Sequence, residues 1–342
     1  MEVSTIGLDL AKHVFQVHGV DVDGKVIVCK TLRRQHVIPF FRKLSPCLVG
    51  IEACGTSHYW ARELSGMGHM VKLMPPAYVK PYVKRGKTDA GDAAAICEAV
   101  TRPNMRFVAV KSVDQQAALS LHRTRDLLVR QRTQSVNMIR GLLAEFGIVM
   151  AKGVWNALKL AERIVKGECL ELPPAARQSL CHLAEQAHAL HRRITEMDRE
   201  LQAWSRRDET AKRLQTIPGV GVLSSSALVS SLADPHQFRS GRQFAAWLGL
   251  TPLARSSGGK ERMGRISKMG DGYIRRLLVS GMMSQLRWAK THPAEAPPWL
   301  VSLLERKPTK LVAVALANKT ARIAWAVMTR GETYKAPRPA AA

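Results

Sequence analysis

Between residues 4 and 74 the apolar residues come in short runs separated by turn signals, and this patterning most narrows what the chain can fold into. Ser4-Thr5-Ile6-Gly7-Leu8-Asp9-Leu10 is a compact apolar run, too short for a helix that stands alone. His13 to Val20 alternates apolar and polar side chains. Asp23-Gly24 is a turn signal, and Lys25 to Lys30 alternates again. The pattern predicts a first strand followed by two hairpin-linked strands in an antiparallel meander. Residues 35–45 suit a helix. Cys47-Leu48-Val49-Gly50-Ile51-Glu52 reads as a buried strand ending in a carboxylate, and residues 57–67 as a helix. Met70 to Met74 reads as a further strand, stopped by Pro75-Pro76.

A helix completes the region. Lys87-Thr88-Asp89-Ala90-Gly91-Asp92 leads into Ala93 to Val100, a strong helix former. The resulting order βββαβαβα is the layout of a ribonuclease-H-like domain, here about residues 1–110. Asp89 and Asp92 project from one helix face, one turn apart. Taken alone, such a pair reads as caps or as partners of the helix dipole. Asp9 and Glu52 change that reading, because each closes an apolar run. In a ribonuclease-H-like sheet the first and fourth strands are neighbours, so Asp9 and Glu52 lie side by side and the helix of Asp89 and Asp92 packs across them. Four converging carboxylates repel one another, and hard divalent cations relieve the repulsion. A pair of Mg²⁺ ions suits phosphoryl transfer, with Mn²⁺ as the substitute.

The middle of the chain, residues 111–207, reads as helical. A long polar helix is expected over about 113–146. Over about 175–206, positions 180, 183, 187, 190, 194, 197, 201 and 204 are all apolar, a strict a/d seam. Two readings share that seam: a dimerising coiled coil, or an intramolecular hairpin with the preceding helix. Residues 208–332 form a mainly helical third region. Ile217-Pro218-Gly219-Val220-Gly221 reads as the turn of a helix-hairpin-helix element, where the amides at Gly219 and Gly221 suit a phosphate. A helix follows within Phe238 to Leu250, then Thr251-Pro252 and the basic, glycine-rich stretch from Arg255 to Gly272. Helices are expected over 273–290 and 309–329, and residues 333–342 read as a loose tail.

The formal charge is +25, and residues 241–330 hold 16 basic against 4 acidic side chains. That field implies a polyanionic partner, most economically nucleic acid. An anionic membrane is the competing partner. Met1-Glu2 and Asp9 do not have the charge order of a signal peptide. The longest uncharged run, Leu214 to Ala233, is broken by Pro218-Gly219 and rich in serine, which predicts a soluble pair of helices rather than a span. The six cysteines show no paired spacing and read as reduced thiols of a cytoplasmic, nucleoid-associated protein. Cys181-His182 with His188 and His191 is a weaker metal candidate than a row of helix-surface residues.

Gly7-Leu8-Asp9, Ile51-Glu52-Ala53-Cys54-Gly55-Thr56 and Lys87-Thr88-Asp89-Ala90-Gly91-Asp92-Ala93 together resemble the DEDD transposases of the insertion-sequence one-hundred-and-ten family, relatives of the Piv-type DNA invertases. Ile217 to Gly221, Phe238 through Thr251-Pro252, and Arg265-Ile266-Ser267-Lys268-Met269-Gly270 resemble that family's second domain, so the likeness covers about residues 5–330. It implies a RuvC-like N-terminal domain in which Asp9, Glu52, Asp89 and Asp92 hold Mg²⁺. It implies a serine nucleophile in a Ser-Gly step after the Thr-Pro, which matches Ser257-Gly258. Ser256 doubles that serine. The resemblance also implies donor and target DNA, a structured guide RNA from the element's own end, and a homo-oligomer, dimer or tetramer, joined by the coiled coil.

The residues support this chemistry in their own terms. A serine hydroxyl needs activation, and no histidine lies near Ser257 in sequence. Arg255, Lys260, Arg262, Arg265 and Lys268 suit a phosphate or the charge of a transition state. Lys111, Arg123, Arg125, Arg130, Arg132 and Arg140 suit a nucleic-acid groove, or a solvated helix face. Tyr78 and Tyr82, among Lys80, Lys84 and Arg85, suit either base stacking or core packing. The leading expectation is a site-specific DNA recombinase. A metal-dependent nuclease that uses water, and a non-catalytic nucleic-acid-binding scaffold, are the alternatives.

Overall fold

The computed structural model describes residues 2–336 apart from Arg85, Lys87, residues 169–171, Ser256, Ser257 and residues 259–261. They form two compact units, Met1–Ser112 with Leu232–Gln237, and Val113–Ser231 with Phe238–Ala342. The second unit takes in most of residues 111–207 and 208–332, while Leu232–Gln237 falls with the first.

The first unit is built on a five-stranded mixed sheet. Its strands are β1 (Thr5–Leu10), β2 (Val14–Val20), β3 (Val26–Arg33), β4 (Leu48–Glu52) and β5 (Met70–Met74), in the spatial order β3-β2-β1-β4-β5. The first three pair antiparallel, as the apolar runs predict, and β1, β4 and β5 run parallel. Helices α1 (Val37–Phe41) and α2 (Ser57–Ser65) cover one face. There Ile6, Leu8, Phe15, Val17, Val49, Ile51 and Leu73 pack with Phe41, Trp60 and Leu64 into one core. Each of these large side chains contributes about 1.5–3 kcal/mol by leaving water.

The other face carries the alternate residues, and its packing is of a different kind. A short helix, α3 (Pro76–Val79), leads to α4 (Asp89–Val100), which lies over β1 and β4. Gly7 and Gly50 are partners across those two strands. A Cβ on Gly7 would sit 2.1 Å from the Ala93 carbonyl oxygen, and one on Gly50 would sit 2.8 Å from Cβ of Val100. The two glycines are therefore a seat that lets an alanine-rich helix rest close on the sheet. The Cys97 thiol bonds the Thr5 carbonyl at 3.7 Å and ties helix to strand. Burial pushes that thiol's pKa up to about 11.

The second unit is helical. Helices α5 (Val113–Glu145) and α7 (Pro174–Arg207) form a long antiparallel pair, with α6 (Val154–Val165) packed on α7. Ile139, Leu143, Leu158, Ile164, Leu180 and Ala187 share a core there. Of the two readings of the heptad seam, the intramolecular one describes this packing: Leu180, Ala187, Leu190, Ile194 and Leu201 are buried within the chain. The stripe drifts to Ala184 and Ser205, as a straight 3.6-residue helix requires.

Helices α8 (Glu209–Leu214) and α9 (Val222–Ser231) form the expected helical hairpin. The uncharged run folds into it. Ser225 and Ser226 donate to the Val222 carbonyl and Ser230 to that of Ala227, so buried hydroxyls are satisfied inside their own helix. Helix α10 (Gly241–Trp247) is followed by a two-stranded ribbon, β6 (Pro252–Ala254) and β7 (Met263–Ile266). The remaining helices are α11 (Gly272–Thr291), α12 (Pro298–Arg306) and α13 (Thr309–Arg330). By length and composition alone α13 is apolar enough to cross a membrane. It packs a row of small residues, Ala313, Ala317, Ala321 and Ala324, into the unit, against α10 and α11.

Candidate metal centre

The four acidic side chains expected at the site are placed by three elements. Asp9 is the penultimate residue of β1, and Glu52 is the last residue of β4. Because Gly7 pairs with Gly50, and side chains alternate, Asp9 and Glu52 project from the same face as the glycine seat. Asp89 and Asp92 stand in the first turn of α4. The cap of that helix is neither aspartate. Thr88 takes the role, its hydroxyl accepting from the Gly91 amide at 3.1 Å. Both carboxylates are thereby left for other work, with the positive end of the helix dipole beside them.

Oxygens of Asp9, Asp89 and Asp92 lie within 4.8 Å of one another. Glu52 stands outside that trio but close enough to feel its charge. Burial, then Asp92 and Asp89, raise the pKa of Asp9 above the ordinary carboxylate range. Burial, then Asp9 and Asp92, raise that of Glu52. Among the described residues, no ion pair reaches any of the four. Oxygen donors without an ion pair, Asp89 exposed and the other three half-buried, on rigid elements fit a hard divalent cation. A cation would exchange mutual repulsion for shared attraction.

Ser257 and Lys260 lie outside the described residues, as does Ser256. What surrounds them is described. Ribbon β6–β7 sets Arg255 opposite Arg262, the Arg255 amide bonding the Arg262 carbonyl at 2.8 Å. Arg255, Arg262, Arg265 and Lys268 are exposed. The base of the ribbon is held by a backbone crossing that the sequence did not reveal. A Cβ on Gly249 would meet the Met269 oxygen at 2.3 Å, and one on Gly270 the Trp247 oxygen at 1.9 Å. Arg275 braces the crossing, donating to the carbonyls of Leu248 and Met269 at 2.8 Å each. Lys268 adopts a left-handed φ of 54°, alone among the described non-glycine residues.

The expected nucleic-acid contacts divide. The Arg125 side chain is 16% exposed and ion-paired with Asp198 of α7, which ties the helix pair together. Arg132 bonds His191 at 3.0 Å across the same pair. Arg130 faces Asp126, and Arg140 donates to the Ala151 carbonyl. Gly219 is turned inward as well. A Cβ there would meet Met282 at 2.5 Å, while Gly281 in turn lies against the Gly219 oxygen. Its left-handed φ of 80° and this close approach both require glycine. Gly221 is open to solvent. Tyr78 and Tyr82 each face an arginine, Arg106 and Arg102. Among the described residues, Cys181, His182, His188 and His191 do not gather their ligand atoms.

A mixed sheet with a carboxylate cluster on adjoining strand ends and a helix, joined to a helical unit, is consistent with a ribonuclease-H-like catalytic domain and its partner domain. Comparison with known proteins supplies the family. A transposase model of the DEDD, IS110 type matches residues 6–148, which contain all four carboxylates. The model of the Transposase IS116/IS110/IS902 family matches residues 211–296, which contain the serine doublet. A protein of Pseudomonas aeruginosa called a probable family 20 transposase is 49% identical over 98% of this chain and 99% of its own length. The transposase for insertion sequence element IS1111A of Coxiella burnetii is 40% identical, over 98% of this chain and 92% of that protein. The transposase for IS1328 of Yersinia enterocolitica is 41% identical, over 97% and 98%. The chain belongs to the IS116/IS110/IS902 family of insertion-sequence transposases, enzymes that act on DNA.

Proposed function

We propose that the chain moves its own insertion sequence as a site-specific recombinase that cuts and rejoins DNA through a phosphoserine link at Ser257, dependent on Mg²⁺ and guided by an RNA from the element. The observation that carries the reading is the trio Asp9, Asp89 and Asp92, unpaired and within 4.8 Å, with Glu52 beside it. These four side chains would hold Mg²⁺, which supplies Lewis-acid polarisation of the phosphate under attack. The Ser257 hydroxyl gives up its proton and attacks phosphorus. The bond to the departing sugar oxygen breaks, and that oxygen takes a proton. One phosphoester replaces another, so the energy for rejoining is kept. Arg255, Arg262, Arg265 and Lys268, with Lys260, bind phosphates and meet charge developing on the departing oxygen. Donor and target DNA are brought together by the guide RNA on a homo-oligomer, dimer or tetramer, in the cytoplasm at the nucleoid and without a membrane.

The test is a covalent adduct. Protein, element RNA, DNA and MgCl₂ are incubated, denatured and resolved by mass. The wild type and Ser256→Ala give a protein–DNA adduct, and Ser257→Ala gives none. DNA cutting by the wild type without any adduct would favour hydrolysis by water and end the serine reading. Unchanged DNA products after Asp9→Ala or Asp92→Ala would end the metal reading.

A further inference from the structure

We propose a second nucleic-acid contact on the helical unit, a cationic groove between α10 and α13 that grips the phosphodiester backbone. Its volume is about 540 Å³, it is open along one side, and Arg242, Lys319, Arg322 and Trp325 line it, with no acidic side chain among its lining residues. On the α5–α7 pair, Arg125, Arg130 and Arg140 are answered by Asp198, Asp126 and a backbone carbonyl. Here no ion pair involves Arg242, Lys319 or Arg322 among the described residues.

The groove is built rather than incidental. Lys319, Arg322, Ile323 and Ala326 recur at i, i+3, i+4 and i+7, so they form one stripe along α13, continued by Arg330. Arg242 faces that stripe from α10. The two helices touch where Gly241 meets α13, since a Cβ there would sit 3.0 Å from the Arg322 carbonyl oxygen. The Lys319 ammonium stands 3.8 Å over the Trp299 ring, which steadies a flexible cation in one place. Ser240 caps α10, accepting from the Gln243 amide, and fixes the approach of Arg242. Lys319 and Arg322, one turn apart on α13, with Arg242 on the facing helix set three charges of one sign along the groove, which suits a polyanion. The half-buried Trp325 gives the same wall an aromatic surface for a base or sugar. DNA and RNA share this backbone chemistry. The inference stands on the family's DNA substrate and not on the serine or guide-RNA readings.

The experiment measures binding by the full chain to fluorescein-labelled single-stranded DNA, duplex DNA and duplex RNA, by anisotropy across a salt series. In Arg242→Gln/Lys319→Gln/Arg322→Gln, affinity at 0.1 M salt falls at least tenfold. The slope of log K against log salt becomes shallower by about 2–3 on whichever nucleic acid the groove holds, at roughly 0.7–0.9 per lost phosphate contact. A second triple, Arg192→Gln/Arg193→Gln/Arg199→Gln, removes three exposed charges from α7 and leaves that slope unchanged. If the α13 triple lowers the melting temperature, Arg242→Gln/Arg322→Gln is used, with an expected change of about 1.5–2. Equal loss in both triples would mean a diffuse field and overturn the site. So would an unchanged slope on all three probes. Loss of binding to anionic lipid vesicles, with nucleic-acid binding intact, would reassign the groove to a membrane and overturn it as well.

Discussion

Replacing Asp9 by asparagine stabilises the metal-free protein and weakens its response to Mg²⁺. Asp9, Asp89 and Asp92 present oxygens within 4.8 Å of one another. Two unit charges at that distance repel by about 3.5 kcal/mol at an effective dielectric of ~20 and by about 0.9 kcal/mol in bulk water. Asp89 is exposed and the others are half-buried, so the lower part of that range applies. Asparagine keeps the shape of Asp9 and removes two such repulsions, for a net gain of about 1–2 kcal/mol. The assay is thermal unfolding at pH 7.5 and low salt, first in EDTA and then across a MgCl₂ series. In EDTA the variant melts a few degrees above the wild type. With Mg²⁺ the wild type rises and overtakes it, because binding only the folded state stabilises by mass action. Salt at 0.5 M narrows the difference in EDTA. The sign of the pH effect is also set. Asp9 and Glu52 have raised pKa values, so the folded state takes up protons before the unfolded chain does. Metal-free stability therefore increases as pH falls through the raised values toward the ordinary 3.8 and 4.5, while Mg²⁺ binding weakens. A variant less stable than the wild type in EDTA, with an undiminished Mg²⁺ response, would refute the reasoning.

Three further outcomes follow from particular contacts. Gly7→Ala forces α4 off β1 by about 1 Å, costs about 1–3 kcal/mol, and lowers Mg²⁺ affinity at least tenfold in calorimetric titration, although no carboxylate is changed. His122, buried and bonded to the Tyr273 hydroxyl at 3.0 Å, has its pKa pushed down to about 4 by burial and then by Arg125. The unfolded chain then binds the extra proton below pH 6.5, so this residue costs stability as pH falls from about 6.5 to 4, by about 3 kcal/mol at most. Denaturant melts of wild type and His122→Gln across that window should converge as pH falls, and parallel curves would count against it. Arg275→Met removes two bonds to loop carbonyls, leaves cation binding by the acidic trio intact in the same titration, and loosens the β6–β7 base, read as faster amide exchange at Ser267 and Lys268.

The strands of the first unit were legible because each is a short apolar run, and Asp9 and Glu52 because they close two of those runs. The Asp89–Asp92 step was legible as a helix start. The absence of a capping role was not, since Thr88 competes with either aspartate on paper and wins by geometry. The tie from Arg125 to Asp198 was not legible, because the carboxylate lies 73 residues away and charge counts over a local window do not see across a helix pair. The close approach of Gly219 to Gly281 was equally invisible in a linear reading. Helices α6 and α12 were passed over although Ala157, Leu158, Ala161 and Ile164 carry the right period. The brace at Arg275 gave no signal, because an arginine that bonds two carbonyls looks like any other in a basic stretch.

The glycine seat beneath α4 has a mechanical meaning. A helix cushioned by side chains can settle or rise as those chains change rotamer. Where α4 meets Gly7 it rests on main-chain atoms, which have no rotamers to change. Closer approach is barred by hard contact, and retreat is opposed only by softer forces such as the Cys97 thiol bond to Thr5. The compliance of the backbone is one-sided: thermal motion can lift α4 from β1 but not press it closer. The resting structure is then the closest seat that helix and strand can share, and the carboxylates work from that fixed spacing.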